Sequence, residues 1–496
     1  MEKSRVRVLV IGGGIGGGAA AAFLRQSGYA VIAERPRNAS PGGLLLAGNG
    51  ARVLAALGLE LAGQRIDAQE VRDSKGQLLS SDSFQEEHAG GGGPVGLLRS
   101  GLEEALWDAA RAELLPGVEL EELRQDHALV ATARGQERVD LVVAADGPAS
   151  ALRRRFLPEP AFREAPQVLL RFLSRTDAEP RLVRVLGNGV TLVHFPVSAG
   201  VRGGVAITAA AEVGADPAAL RGALGPAGSA VLEGLVPGSL QRVPLLDGLA
   251  PSWSRGALVL LGGAAHGLHP GLGQGAAMAI EDARALQVAL DGASSVPAAL
   301  QAYEAMRRER VAAVHRAGWE QAEATRKGSL FSSVRGLLHR MFPSGAPDRK
   351  LSTLLLGEDL GRLLSHRPEL APLTPEARGV LRFLVKIGQV DGHFDETERA
   401  FARAALLEIG HQIAGGELEA LESETRFRSA GSLVEEFLGH TVEFRERLLR
   451  MGVLLAAASG RVTSDEHKAL RDACDTLQIP RETLEAQVRE AIEAQD

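Results

Sequence analysis

The sequence predicts an α/β protein, with a dinucleotide-binding domain interrupted by an inserted β-sheet and followed by an all-α C-terminal domain. Three observations predict it. A glycine-rich turn joins an apolar run to a helical segment near the N-terminus, two later apolar runs end in turn residues, and helical periodicity takes over after residue 371. Length agrees, since 496 residues exceed what one hydrophobic core usually supports.

Residues 6–11 form a short β-branched run that reads as a buried strand. Gly12-Gly13-Gly14-Ile15-Gly16-Gly17 follows, then an alanine-rich helical segment, then a second strand, Ala30-Val31-Ile32-Ala33, ending at Glu34. This is the strand, G-x-G-x-x-G, helix, strand, acid order of a dinucleotide site. Gly12 permits the tight turn, Gly14 lets backbone approach a diphosphate, and Gly17 lets helix pack on strand. The N–H groups at the helix start, from Ile15, then face the phosphates. Glu34 stands where a carboxylate accepts both ribose hydroxyls of an adenosine. Arg35, beside it, is the residue type that a 2′-phosphate would require. This strand alone therefore leaves NAD, NADP and FAD open.

Asp140-Leu141-Val142-Val143-Ala144-Ala145 reads as a further strand, ending in Asp146-Gly147-Pro148-Ala149-Ser150. Residues 258–261 are another, running into Gly262-Gly263-Ala264-Ala265-His266-Gly267-Leu268-His269-Pro270-Gly271-Leu272-Gly273-Gln274-Gly275. A helical segment over 276–290 then carries Glu281-Asp282-Ala283. In this order and spacing the motifs resemble those of the class A FAD-dependent monooxygenases, the para-hydroxybenzoate hydroxylase-like family, across roughly residues 5–325. The likeness includes Arg99 in Leu97-Leu98-Arg99-Ser100-Gly101-Leu102. It implies a Rossmann-type FAD-binding domain with an inserted substrate sheet. By that resemblance Glu34 holds the adenosine ribose, and Arg99 holds the phosphate–ribityl region. Asp146 and Gly147 are structural, with a part in cofactor and NAD(P)H binding. Pro270, Gly271, Gly273, Gln274 and Gly275 line the isoalloxazine ring. Physics agrees, because a glycine-rich loop lies flat against a planar ring, and the following helix points its positive end at the flavin's pyrimidine edge. One position departs from the family. Gly263 stands where the family has an aspartate that binds a ribityl hydroxyl. Loss of such a bond costs about 1.5–3 kcal/mol, so weaker FAD retention is expected. His266 and His269 read as loop histidines bonded to backbone rather than zinc ligands.

Apolar runs between 155 and 255 suggest the inserted sheet, with His194 at a strand end as a candidate substrate contact. Residues 298–327 read as a long closing helix and 329–342 as an amphipathic helix, which packs against the protein's own body or lies on a membrane. Residues 344–348 read as a linker, and 351–364 as a short helix. The expected domains are 1–154 and 256–325 for the cofactor, 155–255 for the substrate sheet, 326–370 as a helical linker, and 371–496.

The last domain repeats itself at an offset of 68 residues. Asp391-Gly392-His393-Phe394-Asp395-Glu396-Thr397-Glu398 aligns with Ser459-Gly460-Arg461-Val462-Thr463-Ser464-Asp465-Glu466. Each copy offers a capping box, Asp395 with Glu398 and Thr463 with Glu466. This resembles the TerB-like tellurite-resistance domains, small all-helical units. Asp391, Asp395 and Glu398 are the candidate metal ligands, but the spacing departs from an EF-hand and a capped turn accounts for them, so no metal is expected.

The formal charge of −7 argues against a nucleic-acid-coating protein. It belongs to the tail: residues 371–496 carry 23 acids and 15 bases, whereas residues 1–370 carry 39 and 40. An acidic surface of this kind suits a basic protein partner or simply keeps the domain soluble. Cys474 is the single cysteine, which excludes an intramolecular disulfide and fits a reducing cytoplasm. No run of 18 apolar residues offers a transmembrane span. The resemblance implies an FAD monooxygenase that takes hydride from NAD(P)H and, through a flavin hydroperoxide, hydroxylates or epoxidises a small organic substrate with oxygen. An isoprenoid-type flavin reductase, or a non-catalytic flavin sensor acting through the TerB-like domain, are the alternatives.

Overall fold

The computed structural model describes residues 3–34, 42–84, 93–157, 162–165, 167–176, 179–208, 216–326, 358–365, 374–392, 394–408, 417–458 and 462–493. The chain divides into two compact units, Met1–Pro368 and Glu369–Asp496. Arg35, the expected amphipathic helix over 329–342 and the linker over 344–348 lie outside the described residues.

At the centre of the first unit, the strand Arg7–Ile11 runs parallel to Ala30–Glu34 on one side and to Leu141–Ala144 on the other. Glu113–Leu115 and Leu258–Leu260 extend this sheet in parallel, and Ser254–Arg255 closes one edge antiparallel. Val8, Leu9 and Val10 are fully buried, which explains why the run is continuously apolar rather than alternating: both faces of a parallel sheet are covered. The helices Ile15–Gln26 and Gly275–Gly292 pack against each other, the alanines of the first allowing close approach. The helix Val296–Arg326 packs beside the second, and the helix Glu358–Ser365 overlaps the described part of the expected 351–364 segment and runs one residue past it.

A seven-stranded sheet forms the other layer, in the order Gln241–Val243, Val168–Arg175, Val201–Thr208, Val190–Ser198, Arg181–Leu186, Ala68–Asp73, Leu78–Ser83. The sequence expectation confined it to 155–255, and that needs correction. Ala68–Asp73 leaves the first segment to pair parallel with Arg181–Leu186, completing an edge that hairpins within the insertion leave open. The helix Pro217–Glu233 covers one face through Leu220, Leu224 and Leu232, packed on Leu170, Phe172, Val185 and Leu192. The opposite face carries Phe195 and Val197 and meets the strand Gly43–Leu46 so closely that a Cβ on Gly203 would lie 2.8 Å from Gly43 Cα. This face looks toward the segment that follows the second strand of the parallel sheet.

The second unit is helical in its described residues, with Pro375–Gly388, Val442–Ala457 and Ser464–Thr476 supplying much of a core around Phe383, Leu449, Val453 and Leu470. Both capping boxes form. Asp395 N–H donates to Glu398 Oε2 and Glu398 N–H to Asp395 Oδ1, each at 2.9 Å, while Thr463 and Glu466 make the reciprocal pair. No helix among the described residues is long and apolar enough to cross a membrane.

Candidate functional site

The turn between the first strand and first helix adopts the conformation its glycines allow. Gly12 has φ +119°, and a Cβ there would lie 2.2 Å from the Ala145 carbonyl oxygen. A Cβ on Gly17 would lie 1.9 Å from Gly12 O, so helix and strand touch backbone to backbone. Gly14 differs: the nearest atoms to its Cβ position are Arg99 Nη2 at 3.7 Å and Glu103 Oε1 at 3.9 Å. Its protein surroundings are open, as a cradle for a diphosphate requires. Trp107 Nε1 donates to Gly13 O at 2.9 Å and pins the loop from the neighbouring helix Arg99–Ala110. Arg99 Nε donates to Glu103 Oε1 at 2.9 Å on the same helix, which aims the guanidinium over the glycine turn. Glu34 ends the second strand, as its spacing required.

The Asp146-Gly147 turn sits at the end of the strand beside this loop. Asp146 Oδ2 accepts from Ala151 N–H at 2.9 Å, whereas Oδ1 is buried without a partner, an acceptor that fits a ligand hydroxyl or amide. Gly263 faces the same turn. A Cβ at 263 would lie 2.9 Å from Pro148 Cδ and 3.1 Å from Pro148 N, so a side chain at this position would crowd Pro148.

Pro270–Leu272 forms a single 3-10 turn, Gly273 takes φ +65°, and the helix Gly275–Gly292 begins behind Gln274 with no side-chain cap. Nothing lies within 4 Å of a Cβ on Gly275, so the helix N-terminus opens toward free space. The loop is held from three sides. His269 Nδ1 accepts from Gly271 N–H at 3.1 Å, Arg184 of the seven-stranded sheet donates to Gly271 O at 3.2 Å, and Asn49 Nδ2 donates to Gln274 Oε1 at 3.0 Å. Asn49 also donates to Glu281 Oε1 at 2.7 Å, linking the loop to a buried ionic cluster. There Arg307 bridges Glu281 and Asp282 at 2.7 Å each, and Arg310 binds Glu281. Burial opposes charge on Glu281, but Arg307 and Arg310 more than offset it and hold the carboxyl below its ordinary range. His266 belongs to this cluster: its Nε2 lies 2.6 Å from Asp282 Oδ2, so it bonds a carboxylate, not the backbone partner expected for it. His269 is kept neutral, its pKa lowered to about 4 chiefly by burial.

His194 projects from the face of its strand opposite to Phe195 and Val197. It lies on the same side as Val190 and Leu192, which pack under the helix Pro217–Glu233. Its Nδ1 pairs with Arg202 Nη1 at 2.8 Å, and burial, with Arg202 and Arg72 nearby, lowers its pKa to about 3. Among the described residues no group of three His, Cys, Asp or Glu side chains could hold a metal, and Asp395 and Glu398 each spend an oxygen on the capping box. The sequence reading missed Glu103, Trp107, Asn49 and Arg184. Glu103 was legible as the i+4 partner of Arg99; the others act across long separations and carry no local signal.

The comparisons fit this geometry. Residues 234–317 match a family model described as an FAD binding domain. The chain is 30% identical over 379 residues to the aurachin C monooxygenase/isomerase of Stigmatella aurantiaca, covering 70% of this chain and 97% of that one. It is 32% identical over 352 residues to the 3-amino-4-hydroxybenzoate 2-monooxygenase of Streptomyces cremeus, covering 65% and 88%. Among solved structures, Pseudomonas aeruginosa PqsL in complex with 2-aminobenzoylacetate superposes with a TM-score of 0.58 at 26% identity, over 65% of this chain and 96% of that one. Klebsiella pneumoniae HpxO complexed with FAD and uric acid shares the fold, with a TM-score of 0.63 at 24% identity over 72% and 97%. An open glycine cradle, an orphaned acceptor at Asp146 and a loop held flat before a helix N-terminus therefore have one common explanation: the chain belongs to the FAD-dependent monooxygenase family and is an FAD-dependent oxidoreductase.

Proposed function

We propose that this protein hydroxylates or epoxidises a small aromatic or heteroaromatic substrate with oxygen and NAD(P)H, in the cytoplasm. The observation that carries the reading is the apposition of the seven-stranded sheet and the Pro270–Leu272 turn, joined by the Arg184–Gly271 hydrogen bond. That apposition supports a substrate held between the sheet and the flavin ring. When bound, the flavin supplies hydride acceptance and oxygen activation. The protein's own groups position and exclude. Gly12, Gly14, Ile15 and Gly17 would take the diphosphate on backbone N–H groups, Glu34 the ribose, and Arg99 the phosphate–ribityl region. Asp146, Gly147 and Gly263 would flank the ribityl chain, and Pro270, Gly271, Gly273, Gln274 and Gly275 the ring, in a Rossmann-type arrangement. The uncapped N-terminus at Gly275 would stabilise negative charge on the reduced ring. Phe195 and Val197, with their neighbours on that face, would keep water from the reacting atoms. Relatives named 3-amino-4-hydroxybenzoate 2-monooxygenase and 6-hydroxynicotinate 3-monooxygenase support the substrate class. The duplicated capping boxes support a TerB-like reading of the second unit, whose net negative charge would suit a basic protein partner.

The test is NAD(P)H oxidation by the FAD-loaded protein with a panel of aromatic and N-heteroaromatic compounds under isotopically labelled oxygen. Substrate-stimulated oxidation with label in the product is expected. Stable flavin binding with no stimulation and no label across the panel would favour a sensor, and oxygen-independent substrate reduction a reductase.

A further inference from the structure

Arg171 stands out from the other arginines of the seven-stranded sheet. Its strand neighbours Leu170 and Phe172 pack under the helix Pro217–Glu233, so Arg171 projects from the opposite face, toward the segment that follows the second strand of the parallel sheet. There it passes Gly42, where a Cβ would lie 3.0 Å from Arg171 Cδ and 3.3 Å from Cγ. Gly42 O in turn accepts the backbone N–H of Arg99 at 3.0 Å, so one glycine seats both arginines. Arg99 already leans over the glycine turn and is paired with Glu103. Arg171 Nε is buried and has no hydrogen-bond partner. Burial, then the Arg99 charge, push the Arg171 pKa down, and Glu103 opposes them only in part. Glu103 pairs with Arg99 and reaches Arg171 only through its charge, so the two guanidinium groups leave an excess of positive charge on a partly desolvated Arg171, which costs stability unless an anion completes it.

We propose that Arg171, carried by the substrate sheet, is the second cation of a diphosphate subsite whose first cation is Arg99. The ligand chemistry is a dinucleotide diphosphate, and its two sources are the resident FAD and the incoming NAD(P)H. The subsite makes phosphate occupancy depend on the seating of the substrate layer, because one of its two cations belongs to that layer. This inference rests on the chain being an FAD-dependent NAD(P)H oxidoreductase.

Wild type, Arg171→Gln and Arg171→Lys are compared by titrating apoprotein with FAD and with riboflavin, which lacks phosphate, and by steady-state kinetics in NAD(P)H. Removing one charge-assisted bond weakens a ligand by about ten- to hundredfold. If the flavin's diphosphate is the ligand, FAD affinity falls by that factor in Arg171→Gln, riboflavin affinity is unchanged, and Lys recovers part of the loss. If the nicotinamide dinucleotide is the ligand, FAD affinity holds and the KM for NAD(P)H rises by that factor with kcat unchanged. In either case the apoprotein melting temperature of Arg171→Gln equals or exceeds wild type, because a repelled, desolvated cation has gone. A lower apoprotein melting temperature, an equal loss for FAD and riboflavin, or no change in any of these overturns the proposal. Failure of the wild type to bind FAD would instead remove the flavin reading beneath it.

Discussion

Gly14 and Gly17 stand three residues apart in one turn and answer to different constraints. A methyl on Gly17 would meet the Gly12 carbonyl oxygen at 1.9 Å, a clash inside the protein. One on Gly14 meets nothing closer than 3.7 Å, so only a bound ligand objects. Gly17→Ala should therefore lower the apoprotein melting temperature, by an overpacking cost of about 1–3 kcal/mol or more. Gly14→Ala should leave that temperature unchanged and weaken FAD in a binding titration. Equal effects of the two would contradict the assignment. Gly263 gives a second expectation. Gly263→Asp alone should not tighten FAD, because its Cβ crowds Pro148 at 2.9 Å, whereas adding Pro148→Ala should recover about ten- to hundredfold. Tightening by the single change would show that Pro148 yields freely. The glycines were legible in the sequence because they satisfy a local backbone demand. The sequence leaves the face of His194 open, because a strand's period of two fixes two faces but not what packs on each. Asn49 and Arg184 were illegible for a related reason, since their partners Gln274 and Gly271 lie far along the chain.

Between elements, the two-residue acidic step Glu281-Asp282 on one helix meets Arg307 and Arg310 on the next, and the cluster is fully closed from solvent. Arg307→Leu would leave Asp282 with His266 and the Gly262 N–H, and Glu281 with Arg310 and Asn49. Stripping the shared cation from two buried carboxylates should cost about 3–5 kcal/mol, read as a fall in urea midpoint. The loss should extend to the loop, because Glu281 and Gln274 share Asn49. A change within the scatter of surface substitutions would contradict this. The acids and arginines were visible in the sequence, but their meeting was a property of how two helices pack. The strand Ala68–Asp73 shows the same limit: its parallel partner lies over 100 residues away, and the segment Ala-Gln-Glu-Val-Arg-Asp carries no strong alternation. The capping boxes were legible because both partners lie within three residues.

Across the whole molecule, the two units carry buried groups whose titration has opposite signs. In the first, His194 and His269 have pKa values lowered to about 3 and about 4. Groups depressed in the folded state stabilise it above their unfolded value of 6.5, and that contribution is lost as pH falls toward 4. In the second, burial and then the charges of Asp395, Glu466 and Asp391 raise Glu398 to about 7, against the backbone N–H of Asp395. Its contribution is full below 4.5 and is lost as pH rises through about 7. Glu398→Gln keeps the capping acceptor and removes the charge. Its melting temperature relative to wild type should therefore climb as pH rises through that window; a gap independent of pH would contradict the assignment. The sequence showed the acidic tail as a net charge, but only burial shows which carboxylate resists ionising. The central claim, that the glycine turns and the Pro270–Leu272 loop together form an FAD site, is tested most directly by titrating the apoprotein with FAD and following flavin fluorescence and absorption. The account predicts saturation at one flavin per chain, weakened by Gly14→Ala at unchanged protein stability. A folded protein with no saturable flavin binding would contradict it.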